Sequence, residues 1–565
     1  MADELTAIER ERQLLADVQD KGLATRWTAY ARLSGPGWVQ SAITLGGGSL
    51  ASALYLGVLG GYSLLWLQPF AMILGVIMLS TIGYVTLSTG ERPFRSINRH
   101  VSPVLGWSWA LAVAAANIIW SMPQHSLAYG VLSQNLLPAD WFADGALLAG
   151  FGGKLLVAAV LLAICTVITW SYDQGGWGLR LYETVLKLVV AMIVLCFFGV
   201  VIKLATSEAG LPWGELLAGL IPDFGQFFRP ADSFLPLLEP LGEAGSAVRD
   251  YWNAAIVAQQ RDVIISAAAT AVGINMTFMY PYSMLRKGWT KEFRGLARFD
   301  LATGMFIPFM LATGCVVIAA AARFHTQLPP GFEAIEGADG AVQLTVDESG
   351  PKFVPYSKLM STRDTALGAD APAATDAERR LAAILVKRDA FDMAKALEPI
   401  TGPNIANVVF GLGVLAMTLS TISVLMLISG TVVAEMFDAP PGGAVHKAGT
   451  LVAGVGGVLW PLFWQGDSQF YLAVVTSVFG FMLLPFAYIT FAALLNNRSL
   501  LGEEMPRGGT RLVANALVFF AAAAATIGAV YMVWIKAGWI GIGLIAVVVV
   551  LTAMIRPRGD DTASA

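Results

Sequence analysis

Residues 33–90 contain no Asp, Glu, Lys or Arg. A helix needs about 20 apolar residues to cross the hydrocarbon core of a bilayer, so this stretch holds two spans back to back, linked at Gly60 and Gly61. The rest of the chain agrees: 56% of residues are hydrophobic and 13% charged, with a mean hydropathy of +0.64. Soluble domains carry about 25% charged residues. The composition is that of a polytopic membrane protein and argues against a soluble enzyme. A net charge of −4 leaves no basic excess for nucleic acid. Cys165, Cys196 and Cys315 lie in apolar stretches without ligand spacing, which excludes a disulfide scaffold and a cysteine metal site.

The same length rule places about twelve all-α spans, near residues 36–59, 63–88, 104–132, 153–172, 181–206, 262–286, 300–323, 402–436, 446–465, 468–496, 511–535 and 537–555. Basic residues cluster in alternate short loops: Arg92, Arg95 and Arg99; Arg286, Lys287, Lys291, Arg294 and Arg298; Arg498, Arg507 and Arg511. The positive-inside rule makes that side cytoplasmic and puts both termini there, in a cell (inner) membrane. Residues 1–32 are charged and helix-like, without the apolar core of a signal peptide. The expected organisation is a cytoplasmic segment (1–32), a first repeat of five helices (33–206), an extracytoplasmic loop (207–261), helices six and seven (262–323), a second extracytoplasmic loop (324–399), helices eight to ten (400–496), and helices eleven and twelve with a tail (497–565). The two long loops mix Pro, Gly and acidic residues with helical patches such as residues 376–395.

Spans one and six have interrupted centres: Thr44-Leu45-Gly46-Gly47-Gly48-Ser49 and Gly273-Ile274-Asn275-Met276-Thr277. Interrupted segments at matching positions of two halves mark a transporter's binding site near the membrane midplane, because freed backbone groups are tolerated only where they line a cavity or are buried in protein.

Several motifs extend this reading. Gly35-Pro36-Gly37 followed by Gly61-Tyr62-Ser63-Leu64-Leu65-Trp66, then Arg180-Leu181-Tyr182-Glu183, and finally Leu484-Pro485-Phe486-Ala487-Tyr488-Ile489 with Arg498-Ser499-Leu500-Leu501-Gly502, resemble the first, fifth and tenth helices of the NRAMP family of transporters. The resemblance covers most of the chain outside the long loops. It implies a LeuT-type 5+5 inverted repeat with broken helices one and six and two extra helices. It does not carry the family's metal chemistry across. Where the family's first helix has Asp-Pro-Gly-Asn, gapless alignment from the Gly-Pro-Gly puts Gly46, Gly47, Gly48 and Ser49. Where its sixth helix has Met-Pro-His stand Asn275, Met276 and Thr277, with Met276 one residue off the ligand position. The third-helix acids linked to proton movement are missing: residues 101–138 contain no Asp or Glu.

A dehydrated divalent cation wants anionic oxygens or strong nitrogen and sulfur donors, and neither break offers a carboxylate. A glycine-rich turn opening a half-helix presents unpaired N–H groups at a positive dipole end, which suits an anion. The candidate substrate site is therefore Gly46, Gly47, Gly48, Ser49, Asn275 and Thr277, with a small monoanion as cargo and bicarbonate as the first choice. A divalent metal (Mn, Fe or Mg) held through a shifted Met276 is the alternative, and a non-transporting membrane sensor the second. Importing a monoanion against an inside-negative potential costs about 2.3 kcal/mol per 100 mV, so a coupling cation is expected. Thr418, Ser420 and Thr421 on span eight, with Thr44, form a candidate sodium site, by analogy with sodium-coupled LeuT-type proteins. His125, with Gln124 and Asn117 on span three, is the alternative as a proton relay. No resident metal or other cofactor is expected, and no nucleophile–base constellation suggests an enzyme.

Overall fold

In the computed structural model the described residues are 7–555, apart from most of 174–196 and positions in 208–209, 243–244, 337–341, 370, 390–401 and 465–467. The Arg180–Glu183 motif lies outside them. The chain enters through two polar helices, α1 (Ala7–Gln19) and α2 (Leu23–Leu33), and then crosses as two half-helices, α3 (Pro36–Thr44) and α4 (Gly47–Gly60), bent by 52° at the break. Gly61, at φ +55°, ends α4 and turns the chain into α5 (Leu67–Thr89). A short α6 (Pro93–His100) precedes α7 (Pro103–Val131) and α8 (Gly150–Asp173).

The second half is interrupted too, although Ser246–Arg286 runs as one span without a bend above 40°. Helix α9 (Ser246–Ala271) and α10 (Ile274–Arg286) are separated by Val272 and Gly273. Next come α11 (Arg294–Leu301), continuous through a π turn into α12 (Ile307–Phe324), and, beyond the second long loop, α15 (Pro403–Met436), α16 (Ala444–Val458), α17 (Gln469–Leu495) and α18 (Gly508–Met554). Within that loop lie an antiparallel hairpin, β1 (Phe332–Glu336) and β2 (Val342–Val346) with Phe332 opposite Val346, and two helices, α13 (Phe353–Leu367) and α14 (Asp376–Leu385). The protein is an all-α polytopic membrane fold apart from this hairpin.

Among the described residues eight helices, or nine counting the α3–α4 pair, are long and apolar enough to span a membrane. Twelve were expected, and the difference has local causes. Helix α16 is too short to count, α18 contains two expected spans joined across Gly538 at φ +55°, and the first half of the fifth span lies largely outside the described residues. The first long loop is shorter than expected, because α9 begins at Ser246 rather than near residue 262. The charges Arg249, Asp250, Arg261 and Asp262 hid that extension from a hydropathy reading. Within the helical patch expected over 376–395, α14 ends at Leu385, the chain is non-helical over residues 387–389, and Asp392 and Ala394 are helical again.

The buried core forms two main bodies. One, towards the long-loop face, surrounds Tyr55, Trp66, Phe234 and Trp252. The other, towards the face bearing the short basic loops, surrounds Trp109, Phe278, Tyr280 and Trp289. Small residues set the close approaches between helices: a Cβ on Gly57 of α4 would lie 2.5 Å from the Val317 carbonyl of α12. At the basic face the Asp300 carboxylate accepts the N–H groups of Gly35 and Gly37 and the Ser34 hydroxyl. A carboxylate there complements the positive end of α3. Asp300 thus caps a different helix from the seventh span whose start it marks, and ties the first half-helix to α11.

Candidate functional site

The two breaks face each other and enclose a small cavity of about 40 Å³, lined by Gly46, Gly48, Ser49, Asn275, Met276 and Thr421 among others. That volume accommodates about three or four waters, or a small ion with part of its shell, at about 10–15 Å³ for each water. The breaks exist because glycine tolerates the geometry. A Cβ on Gly46 would sit 2.5 Å from Thr421 Oγ1, and one on Gly273 would sit 2.5 Å from the Trp120 ring. The first N–H groups of α4 and α10 have no carbonyl one turn back within their helices, and both helix starts point their positive ends at this space.

The lining is uncharged and mixed: Ser49, Gln124, Thr270, Asn275, Thr421 and Ser477 stand among Ile43, Trp120, Pro123, Ala269, Met276 and Leu425. Asn275 is fully buried; its Oδ1 accepts the Met276 N–H at 2.8 Å, and its Nδ2 has no partner. Gln124 Oε1, near Gly47, is likewise without a partner. A buried polar group left unsatisfied costs about 1–3 kcal/mol, so both atoms call for a ligand or water. Thr44 Oγ1 donates to the Gln40 carbonyl and lies 3.4 Å from Met276 Sδ, so the sulfur does stand between the two broken helices. Among the described residues no group of three or more His, Cys, Asp or Glu is placed to hold a metal ion.

The expected substrate residues divide. Gly46, Gly48, Ser49 and Asn275 line the cavity. Ser49 Oγ donates across the break to the Thr270 carbonyl at 3.2 Å. Gly47 instead backs onto Gln124 and Leu127. Thr277 is turned away: it donates to the Ile274 carbonyl and accepts the Trp109 indole N–H at 3.0 Å. Two residues along a helix rotate a side chain by about 200°, which puts Thr277 opposite Asn275.

Of the expected coupling-ion residues, Thr421 reaches the cavity wall and Thr418 approaches Gly47, while Ser420 is absent from the lining. Thr418 and Thr421 donate their protons to the Leu415 and Met417 carbonyls, each at 2.8 Å. Such a hydroxyl still offers lone pairs to a cation. His125 lies beside Gln124 but behind the wall. Its Nδ1 is 2.9 Å from the Ser121 carbonyl, and its Nε2 is buried without a partner. Trp120, Thr270 and Ser477 also belong to the lining and carried no sequence signal of their own. They are ordinary helix residues made neighbours by the fold.

Between α3, α10 and α15, nearer the basic face, lies a second cavity of about 490 Å³, lined by Arg92, Tyr282, Arg286, Lys287, Glu435 and His446 among others. Arg92 pairs with Glu435 at 3.1 Å. Towards the other face the route is shut: Ser52 meets Ser266 at 2.6 Å, and Tyr55 meets Ser468 at 3.2 Å. The larger cavity thus lies on the basic-face side of the breaks, and side chains meet across the helices on the long-loop side.

Two interrupted helices around a buried, uncharged cavity, inside a helical membrane bundle, make up a LeuT-type fold. The "Natural resistance-associated macrophage protein-like" (Nramp) profile matches residues 37–350 and 375–535, and the chain belongs to the Nramp family, whose members are transporters rather than enzymes. It is similar to "Metal transporter Nramp2" of Populus trichocarpa, with 25% identity over 40% of each chain, and to "Metal transporter Nramp6.2" of the same plant, with 24% identity over 39% of this chain and 34% of the relative. The aligned part therefore spans well under half of those curated relatives. Among solved structures, the manganese transporter of Eremococcus coleocola superposes with a TM-score of 0.60 at 14% identity, covering 95% of this chain and 96% of that one. At that identity the match speaks for the fold.

Proposed function

We propose that this protein is a secondary transporter carrying a small inorganic ion by alternating access around the cavity between α3–α4 and α9–α10. The observation that carries this reading is the bent break between α3 and α4 facing the interruption at Val272 and Gly273, with buried polar atoms between them that have no partner inside the protein. For the cargo, kinship favours a divalent metal ion over bicarbonate, since the relatives' names are those of metal and manganese transporters. Met276 supports the same choice with a soft sulfur between the two breaks. With only neutral oxygens beside that sulfur, the ion would keep part of its water shell, for which the cavity has room.

A specific observation favours a second reading, a monoanion such as bicarbonate. No Asp or Glu lines the cavity, Asn275 Nδ2 is a free donor, and the vestibule sets Arg92, Arg286 and Lys287 against Glu435. An uncompensated double charge in the membrane interior is costly. Coupling to sodium through Thr44, Thr418 and Thr421, or to protons through His125, belongs to the same proposal, as do residence in the inner membrane and cytoplasmic termini.

Uptake into liposomes by purified protein tests the reading. Manganese and labelled bicarbonate are supplied separately, with and without sodium and pH gradients. Manganese uptake that bicarbonate does not compete supports the first cargo, and bicarbonate uptake that is silent to manganese supports the second. No flux of either ion, or of acetate or alanine, removes the transporter reading.

A further inference from the structure

The second long loop does more than cover the bundle. At its far end Lys387, Arg388 and Asp389 descend into the mouth between the two helices that bound the cavity on the long-loop side. The Arg388 carbonyl accepts two hydrogen bonds, from Tyr55 Oη on α4 and from Ser468 Oγ at the start of α17, both at 2.8 Å. Tyr55 is eight residues beyond Gly47 and Ser468 nine residues beyond Ser477, on the side away from the basic face. At 1.5 Å per helical residue, both grips lie about 12–14 Å outward of the cavity. Tyr55 and Tyr471 close edge to face beneath them, with ring centres 5.2 Å apart, and the Lys387 ammonium sits 3.7 Å over the Tyr471 ring.

The segment is also held from outside. Lys352, at the start of α13, bridges Asp389 at 2.6 Å and Asp392 at 2.7 Å. The Arg388 guanidinium is buried, donates to the Gln327 carbonyl and stacks near the Phe324 ring at the end of α12, while its Nε has no partner. A strand of chain that only roofed the bundle would not insert a buried, incompletely satisfied cation between the moving parts of a transporter.

We propose that Lys387–Asp389 is a plug that closes the pathway on the long-loop side, and that Arg388 must leave the Tyr55–Ser468 grip before the cavity opens to that side. This rests on the alternating-access reading above, and the plug's release is then a conformational step separate from cargo binding. Each donor to the Arg388 carbonyl contributes on the scale of about 0.5–1.5 kcal/mol, so removing both should raise the population open to the long-loop side by roughly 5- to 150-fold.

The test reads accessibility and needs no knowledge of the cargo. A cysteine-free background, with Cys165, Cys196 and Cys315 replaced, carries Ser477→Cys as a reporter in the cavity wall. A membrane-impermeant thiol reagent is then added from one side at a time. Labelling from the basic-face side verifies the reporter. Tyr55→Phe with Ser468→Ala should speed labelling from the long-loop side at least fivefold, in protein that still melts cooperatively. In a second variant, Arg388→Cys and Ser468→Cys are oxidised to a disulfide, which should abolish that labelling until reductant is added. Labelling from the long-loop side that ignores both changes, in protein that still melts normally, overturns the plug. Labelling that responds while no ion is carried keeps the plug and removes the transport reading instead.

Discussion

The cap and the crossing handle buried polar groups in opposite ways. In the cap, Arg363 and Glu378 are both fully buried and doubly hydrogen-bonded, at 2.9 and 3.0 Å, with the Trp252 indole and the Thr375 capping box completing the carboxylate's partners. At the crossing there is no charge in the wall, and Asn275 and Gln124 keep atoms without partners. Satisfied charges fix one arrangement of the chain. Unsatisfied neutral groups are what a transient guest can complete. The cap is therefore the rigid body against which the plug is held, and the crossing is the place prepared for cargo.

Mutations that exchange the two behaviours test this contrast. Glu378→Ala should cost about 3 kcal/mol of stability by stranding Nε and Nη2 of the buried Arg363, which keeps only Asp364 and the Pro372 carbonyl, and the Trp252 indole N–H, seen as a large drop in melting temperature. Asn275→Ala should leave melting nearly unchanged while uptake collapses. Thr277→Val strands the buried Trp109 N–H and should cost about 1–3 kcal/mol, with transport per folded molecule preserved. If transport fails there instead, the cavity extends to the face of α10 assigned here to packing. Gly48→Ala is sterically allowed, its Cβ meeting Thr270 Cγ2 at 3.4 Å, and alanine is favoured in a helix by about 1 kcal/mol. The protein should melt no lower, yet uptake should fall about tenfold, the equivalent of roughly 1.4 kcal/mol, because the methyl occupies cargo space. Thr421→Val should have the smallest effect, a roughly threefold weakening of sodium dependence, within the worth of one hydrogen-bonding oxygen. Unaltered sodium dependence would exclude Thr421 from the coupling site.

The position of the crossing was legible because three consecutive glycines, Gly46, Gly47 and Gly48, interrupt one charge-free span, and Gly273 stands at the matching place in the other. Its walls were only half legible. Asn275 and Thr277 looked equivalent in the sequence, and helical rotation separates them. Trp120 and Ser477 belong to α7 and α17, and only tertiary packing brings them to the breaks. Met276 looked displaced from a ligand position, yet its sulfur reaches Thr44. The plug was illegible, since Lys387 and Arg388 fall in what reads as a helical patch, and only the tertiary structure shows Tyr55 and Ser468 gripping the Arg388 carbonyl.

Asn275→Asp gives the most direct test of whether cargo rests at this neutral crossing. It adds one negative charge at nearly constant shape, a few ångströms from the proposed ion. The account predicts at least a tenfold change in apparent affinity during liposome uptake, a difference of about 1.4 kcal/mol. Manganese should bind more tightly if the cargo is a metal ion, and bicarbonate uptake should disappear if it is a monoanion. An affinity that does not move, in protein that folds and melts like the parent, would contradict it.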